Sequence, residues 1–79
     1  METQLRFELP QPSLVRLAIY DTVGREIRLV LFSHLPAGEH LARWDGRDNA
    51  GQIAAAKVYF YCIDSHFCHI VRKLIPSYS

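Results

Sequence analysis

Turn-forming residues punctuate this chain so often that long regular elements have no room. Pro10 and Pro12, Gly24, Pro36 and Gly38, Gly46 and Gly51, and Pro76 cut it into pieces of about six to ten residues. Proline removes a backbone donor and fixes φ, while glycine permits positive φ, so these positions end strands and make turns. Pieces this short suit strands. A crossover helix, which a parallel sheet would need, has nowhere to sit.

Within the pieces, apolar residues alternate with polar ones. Leu5, Phe7 and Leu9 share one parity, with Arg6 and Glu8 on the other. Val15, Leu17 and Ile19 do the same, opposite Arg16, Ala18 and Tyr20. A period of two is the mark of a strand with one buried face. Asp21-Thr22-Val23-Gly24 reads as a turn. From Arg25 to Ser33 the pattern blurs, because Leu29-Val30-Leu31-Phe32 is a continuous apolar run. A buried strand or a bulge explains it, and a two-turn helix is the rival. His40, Ala42 and Trp44 share the next face. A polar loop follows from Trp44 to Gly51, then an aromatic strand from Lys57 to Asp64, a tight turn at Asp64-Ser65-His66, and a last strand from Phe67 to Ile75.

The expected fold is therefore an all-β, antiparallel sandwich of about seven short strands. One domain fills residues 1–79, with its core at about 5–75. That core should draw on Leu5, Phe7, Leu9, Val15, Leu17, Ile19, Ile27, Val30, Ala42, Trp44, Tyr59, Tyr61 and Ile63. No internal repeat stands out.

Charge and length then exclude several functions. Nine basic and eight acidic side chains leave a net charge of +1. Nucleic acid is not expected as the main partner, since counterion release needs a concentrated basic face. No apolar run approaches the roughly 20 residues of a membrane span. Met1 to Glu8 carries charges where a signal peptide would place its apolar stretch.

Candidate chemistry is sparse. Asp45, Asp48 and Asn49 offer the oxygen ligands that calcium takes, but the spacing departs from the calcium-loop pattern and Arg47 intrudes, so a hydrogen-bonded turn is expected. Cys62, His66, Cys68 and His69 lie close in sequence, but neighbours Cys68 and His69 would face opposite sides of a strand, which opposes a shared zinc ion. No metal and no cofactor is expected. A three-residue turn would place Ile63 opposite Phe67 and Cys62 opposite Cys68, leaving a disulfide or two free thiols as alternatives. The serines are expected in loops or at the end of the chain, with none in a nucleophile elbow. Tyr59, Phe60, Tyr61 and Phe67 either divide between core and sheet surface, or Phe60, Ile70 and their neighbours form an exposed apolar docking patch.

The order of motifs is more telling than any one of them. Phe7-Glu8-Leu9-Pro10 precedes Val15-Arg16-Leu17-Ala18-Ile19-Tyr20-Asp21 and Gly24-Arg25. Leu35-Pro36-Ala37-Gly38 and His40 lead to Trp44-Asp45-Gly46-Arg47-Asp48 with Gly51, then Val58-Tyr59-Phe60-Tyr61 and Arg72-Lys73-Leu74. This arrangement resembles the Ig-like domain named after the flagellar hook-capping protein, the FlgD-type Ig-like domain. It is also closely similar to the type A C-terminal sorting domain of the type IX secretion system. The resemblance implies an Ig-like sandwich without an active site. Trp44, Asp45, Gly46, Asp48, Gly51, Tyr59 and Tyr61 would be its structural motif, and His40 a structural histidine on the inward parity. It implies a C-terminal module of a larger exported bacterial protein, acting in secretion, sorting or surface attachment. The alternatives are a hook-cap-type assembly module or a small protein- or carbohydrate-binding sandwich. Partners would be upstream domains, secretion machinery or further copies, and the export signal would lie upstream. Three departures stand out: Ala55-Ala56-Lys57 replaces the family's small residue and glycine, Cys62 replaces a basic residue, and Pro76-Ser77-Tyr78-Ser79 replaces a hydrophobic and basic ending.

Overall fold

A computed structural model describes residues 3–54, 58–65 and 69–75. Its elements are β1 (Thr3–Leu9), β2 (Ser13–Tyr20), β3 (Glu26–Leu35), β4 (Gly38–Trp44), β5 (Tyr59–Ser65) and β6 (His69–Leu74). They form two antiparallel layers, a pair β1-β4 and a four-stranded sheet in the order β3-β2-β5-β6. The fold is the expected all-β sandwich, with six strands among the described residues.

Alternation does what the sequence demands. Leu5, Phe7 and Leu9 point inward from β1, and Val15, Leu17 and Ile19 from β2. Trp44 and Tyr59, both buried, meet across the two layers edge to face, with ring centroids 5.3 Å apart at 79°. Ile27, Val30, Ala42 and Tyr61, also expected in the core, pack against it while only partly buried.

Four buried apolar residues lie outside the expected core list. Ala54 and Leu74 close the core, from the loop before β5 and from β6. Ala18 and Cys62 are buried on the other side of the large sheet. They are register partners and lie outside the core cluster.

β3 resolves the blurred segment as a strand, not a helix. Its pairing with β2 slips between Leu17 and Ala18 and again between Ile19 and Tyr20, so Val30 and Ile27 have no opposite partner. Bulges of this kind let neighbouring apolar residues turn to the same side, and Ile27, Val30 and Leu31 all pack against the core. Ser13, Ser33 and Ser65 lie within β2, β3 and β5, correcting the expectation of loops.

Candidate functional site

The motif from Trp44 to Gly51 is a hydrogen-bonded turn tied to β3. Trp44 Nε1 donates to the Arg47 carbonyl at 2.9 Å, so the buried indole is satisfied. Asp45 Oδ1 accepts the Arg47 amide at 3.0 Å. Asp48 Oδ1 accepts the amides of Ala50 and Gln52, each at 2.9 Å. Asn49 reaches sideways to β3. Its amide donates to the Ile27 carbonyl at 2.9 Å, and its Oδ1 accepts the Leu29 amide at 3.0 Å. Arg28 Nη1 adds a bond to the Asp48 carbonyl at 3.1 Å. One oxygen of each of Asp45, Asp48 and Asn49 is thus bonded to backbone donors, and the product is a loop sewn onto an edge strand. Tyr59 joins this motif through Trp44, while Tyr61 lies further along β5 against the core.

The same construction occurs a second time, at Asp21-Thr22-Val23-Gly24, which the sequence already marks as a turn without showing its likeness to the first. In the β2–β3 turn, Asp21 Oδ1 accepts the amides of Val23 and Arg25 at 3.0 and 2.9 Å. Gly24 donates to the Asp21 carbonyl and Gly51 to the Asp48 carbonyl. The shared signal is Asp-x-x-Gly, at 21–24 and 48–51. Asp21 also accepts Arg25 Nε at 2.8 Å. The hydrogen bonds from Arg25 are the main cause that holds its carboxyl below the usual carboxylate range.

His40 has a structural setting. It stacks on Phe7, its partner in β1, at 5.4 Å, and Nε2 lies 2.7 Å from the Pro36 carbonyl. A tautomer with the proton on Nε2 makes that contact a hydrogen bond.

The β5–β6 hairpin differs from expectation. Cys62 pairs with Val71 and Ile63 with Ile70, so the register that set Cys62 opposite Cys68 is not adopted. Cys62 is a buried free thiol; Cys68, like His66 and Phe67, lies outside the described residues. Phe60 and Ile70 do not form one patch. Ile70 packs against the core, while Phe60 sits on the outer face with Val71. Exposed Phe32 and Val71 carry the apolar surface on that side.

The outer face also gathers titratable groups. Asp64 pairs with Arg16 on β2 and with His69 on β6. His69 Nδ1 and Asp64 Oδ1 are in contact, and this hydrogen bond chiefly pulls the Asp64 carboxyl down. Burial, then the Asp64 charge, push the Cys62 thiol up. Arg16 is held elsewhere, by Glu26 and by Tyr20 Oη at 3.1 Å. Asp64 was not singled out in the sequence because its partner is set by the hairpin register.

The family model described as the FlgD Ig-like domain matches residues 1–62. No curated protein and no solved structure matches the chain. Among the described residues, no helix is long and apolar enough to cross a membrane.

Proposed function

Because the chain belongs to the FlgD Ig-like family, we propose that it is a non-catalytic C-terminal module of a longer exported bacterial protein. Its work is secretion, sorting or attachment at the cell surface. The family match carries this reading. It is supported by a fold whose most motif-rich loop turns its polar groups onto its own backbone and onto β3. Such a module offers surface rather than a reaction centre. The outer face, with Phe32 60% and Val71 56% exposed, is the surface we assign to upstream domains or secretion machinery.

The test is export of a reporter. The chain is fused behind a periplasm-directed fluorescent protein in a bacterium that has a type IX system. Release of the reporter to the surface or medium supports sorting. Retention in the periplasm overturns it. The second reading, a structural assembly module of the hook-cap kind, is favoured by the family itself. Sedimentation of the isolated chain as a defined ring or cap would replace the first reading with the second.

A further inference from the structure

In β5, Cys62 and Asp64 stand two residues apart, so both side chains leave the same face of the strand. In β6, His69 is directly opposite Asp64. The result is a thiol, a carboxylate and an imidazole whose ligand atoms all lie within 4.8 Å of one another. Cys62 Sγ is 3.7 Å from Asp64 Oδ2 and 3.7 Å from His69 Nδ1. Two ligands at zinc bond lengths that subtend a tetrahedral angle are about 3.3–3.6 Å apart. Register and side-chain conformation together bring three donors near coordination spacing, with His69 Nδ1 and Asp64 Oδ1 already in a hydrogen-bond contact that the ion would replace.

We propose that Cys62, Asp64 and His69 bind one divalent transition-metal ion of the zinc class, through the thiolate, one carboxylate oxygen and one imidazole nitrogen. Sulfur and imidazole ligands suit such ions better than calcium or magnesium, which prefer oxygen alone. The set is graded in depth: Cys62 is buried, Asp64 partly buried and His69 exposed, which leaves an entry path from solvent. Phe60 and Val71 border the site as apolar walls. Arg16, the nearby cation on β2, is engaged by Glu26 and Tyr20.

A divalent cation pairs with the carboxylate and stabilises the thiolate together, displacing one proton from sulfur. Such an ion would clamp β6 to β5 at the end of the hairpin. A chain of 79 residues has a small core, and domains of this size gain from such staples.

The experiment titrates the reduced full-length chain with Zn²⁺ by calorimetry and with Co²⁺ by absorption spectroscopy. One ion per chain is expected, with a saturable rise in thermal midpoint and a cobalt–thiolate charge-transfer band. His69→Ala, a change on the exposed rim, should weaken binding by about tenfold or more, as should Asp64→Asn. Cys62→Ser should abolish the thiolate band, and Cys68→Ser should leave it in place. Should Cys62→Ser fail to fold, the band in Cys68→Ser still reports on Cys62. The proposal is overturned by no saturable uptake at one equivalent, by equal affinity in His69→Ala, or by loss of the band in Cys68→Ser.

Discussion

The two Asp-x-x-Gly turns are nearly the same object in two settings. In each, the first aspartate accepts the amides two and four residues on, the glycine amide closes back on the aspartate carbonyl, and the aspartate amide bonds the fifth residue's carbonyl. The glycines have nearly equal φ, 91° at Gly24 and 85° at Gly51. Their surroundings differ. The turn at 21–25 simply joins two strands paired with each other, and its aspartate is ion-paired to Arg25. The turn at 48–52 closes only an isolated antiparallel bridge between Arg47 and Ile53, with the Ala54 amide donating to the Gly46 carbonyl. It is held from below by Trp44 and from the side by β3. One local solution to a tight reversal thus serves a hairpin in one place and covers a sheet edge in the other. An uncovered edge would leave β3 with unpaired donors and acceptors.

Removing the support under the second turn should have the largest effect. Trp44 is 1% exposed and joins the two layers through Tyr59. Trp44→Ala should cost about 3–5 kcal/mol, against a total stability of about 4–12 kcal/mol for a chain of this size. Urea unfolding would show a midpoint far below that of the parent. Trp44→Phe is the sharper variant, since it keeps most of the packing and loses only the bond to Arg47. Native-state amide exchange should then accelerate at Ala50 and Gln52 and stay unchanged at Val23 and Arg25.

Glycine replacement tests whether the turns are locally equivalent. A Cβ at Gly24 or Gly51 would meet nothing within 4 Å, so the cost comes from backbone conformation alone. Gly24→Ala and Gly51→Ala should each lose about 1–2 kcal/mol. A difference between them larger than about 1 kcal/mol in chemical denaturation would mean that the setting, not the turn, governs the strain.

The position after each aspartate separates the two roles. Asn49→Ala removes the acceptor for the Leu29 amide and should cost about 0.5–1.5 kcal/mol. Thr22, at the matching place in the first turn, is exposed, and Thr22→Ala should change stability by less than about 0.5 kcal/mol. Equal losses in the two variants, read from denaturation midpoints, would remove the edge-covering role assigned to Asn49.

Sequence reading recovered the parts of this picture that depend on neighbours in the chain. Strand alternation placed Leu5, Leu17 and Trp44 correctly, because period and burial coincide where one face meets the other layer. The apolar run at 29–32 was ambiguous for a physical reason: a bulge breaks the period that identifies a strand. Ala18 and Cys62 lie on the parity opposite the core, as alternation places them, and alternation alone does not tell that this face buries them. The Cys62–Asp64–His69 cluster depends on hairpin register, and the length of a turn decides which side chains face each other. Asp-x-x-Gly was visible twice in the residues, but only its hydrogen bonds make the two copies one motif.

The smallest effect at neutral pH, and the most diagnostic, concerns Asp21. Its carboxyl is held below the ordinary range by hydrogen bonds from Arg25. A group whose pKa is lower folded than unfolded contributes stability above its unfolded value, and that contribution fades as pH falls through the folded one. The native chain should therefore lose this increment on acidification below about pH 4. Asp21→Asn keeps the side-chain oxygen that Val23 and Arg25 amides require, but not the charge that Arg25 pairs with. Its thermal midpoint should lie slightly below the native one at pH 7, and the gap should close towards pH 3. Asp48→Asn provides the contrast, since no side-chain cation pairs with Asp48 among the bonds that build its turn. If the gap for Asp21→Asn were the same at both pH values, the Arg25 pair would contribute nothing. The two turns would then differ only in what they lean against.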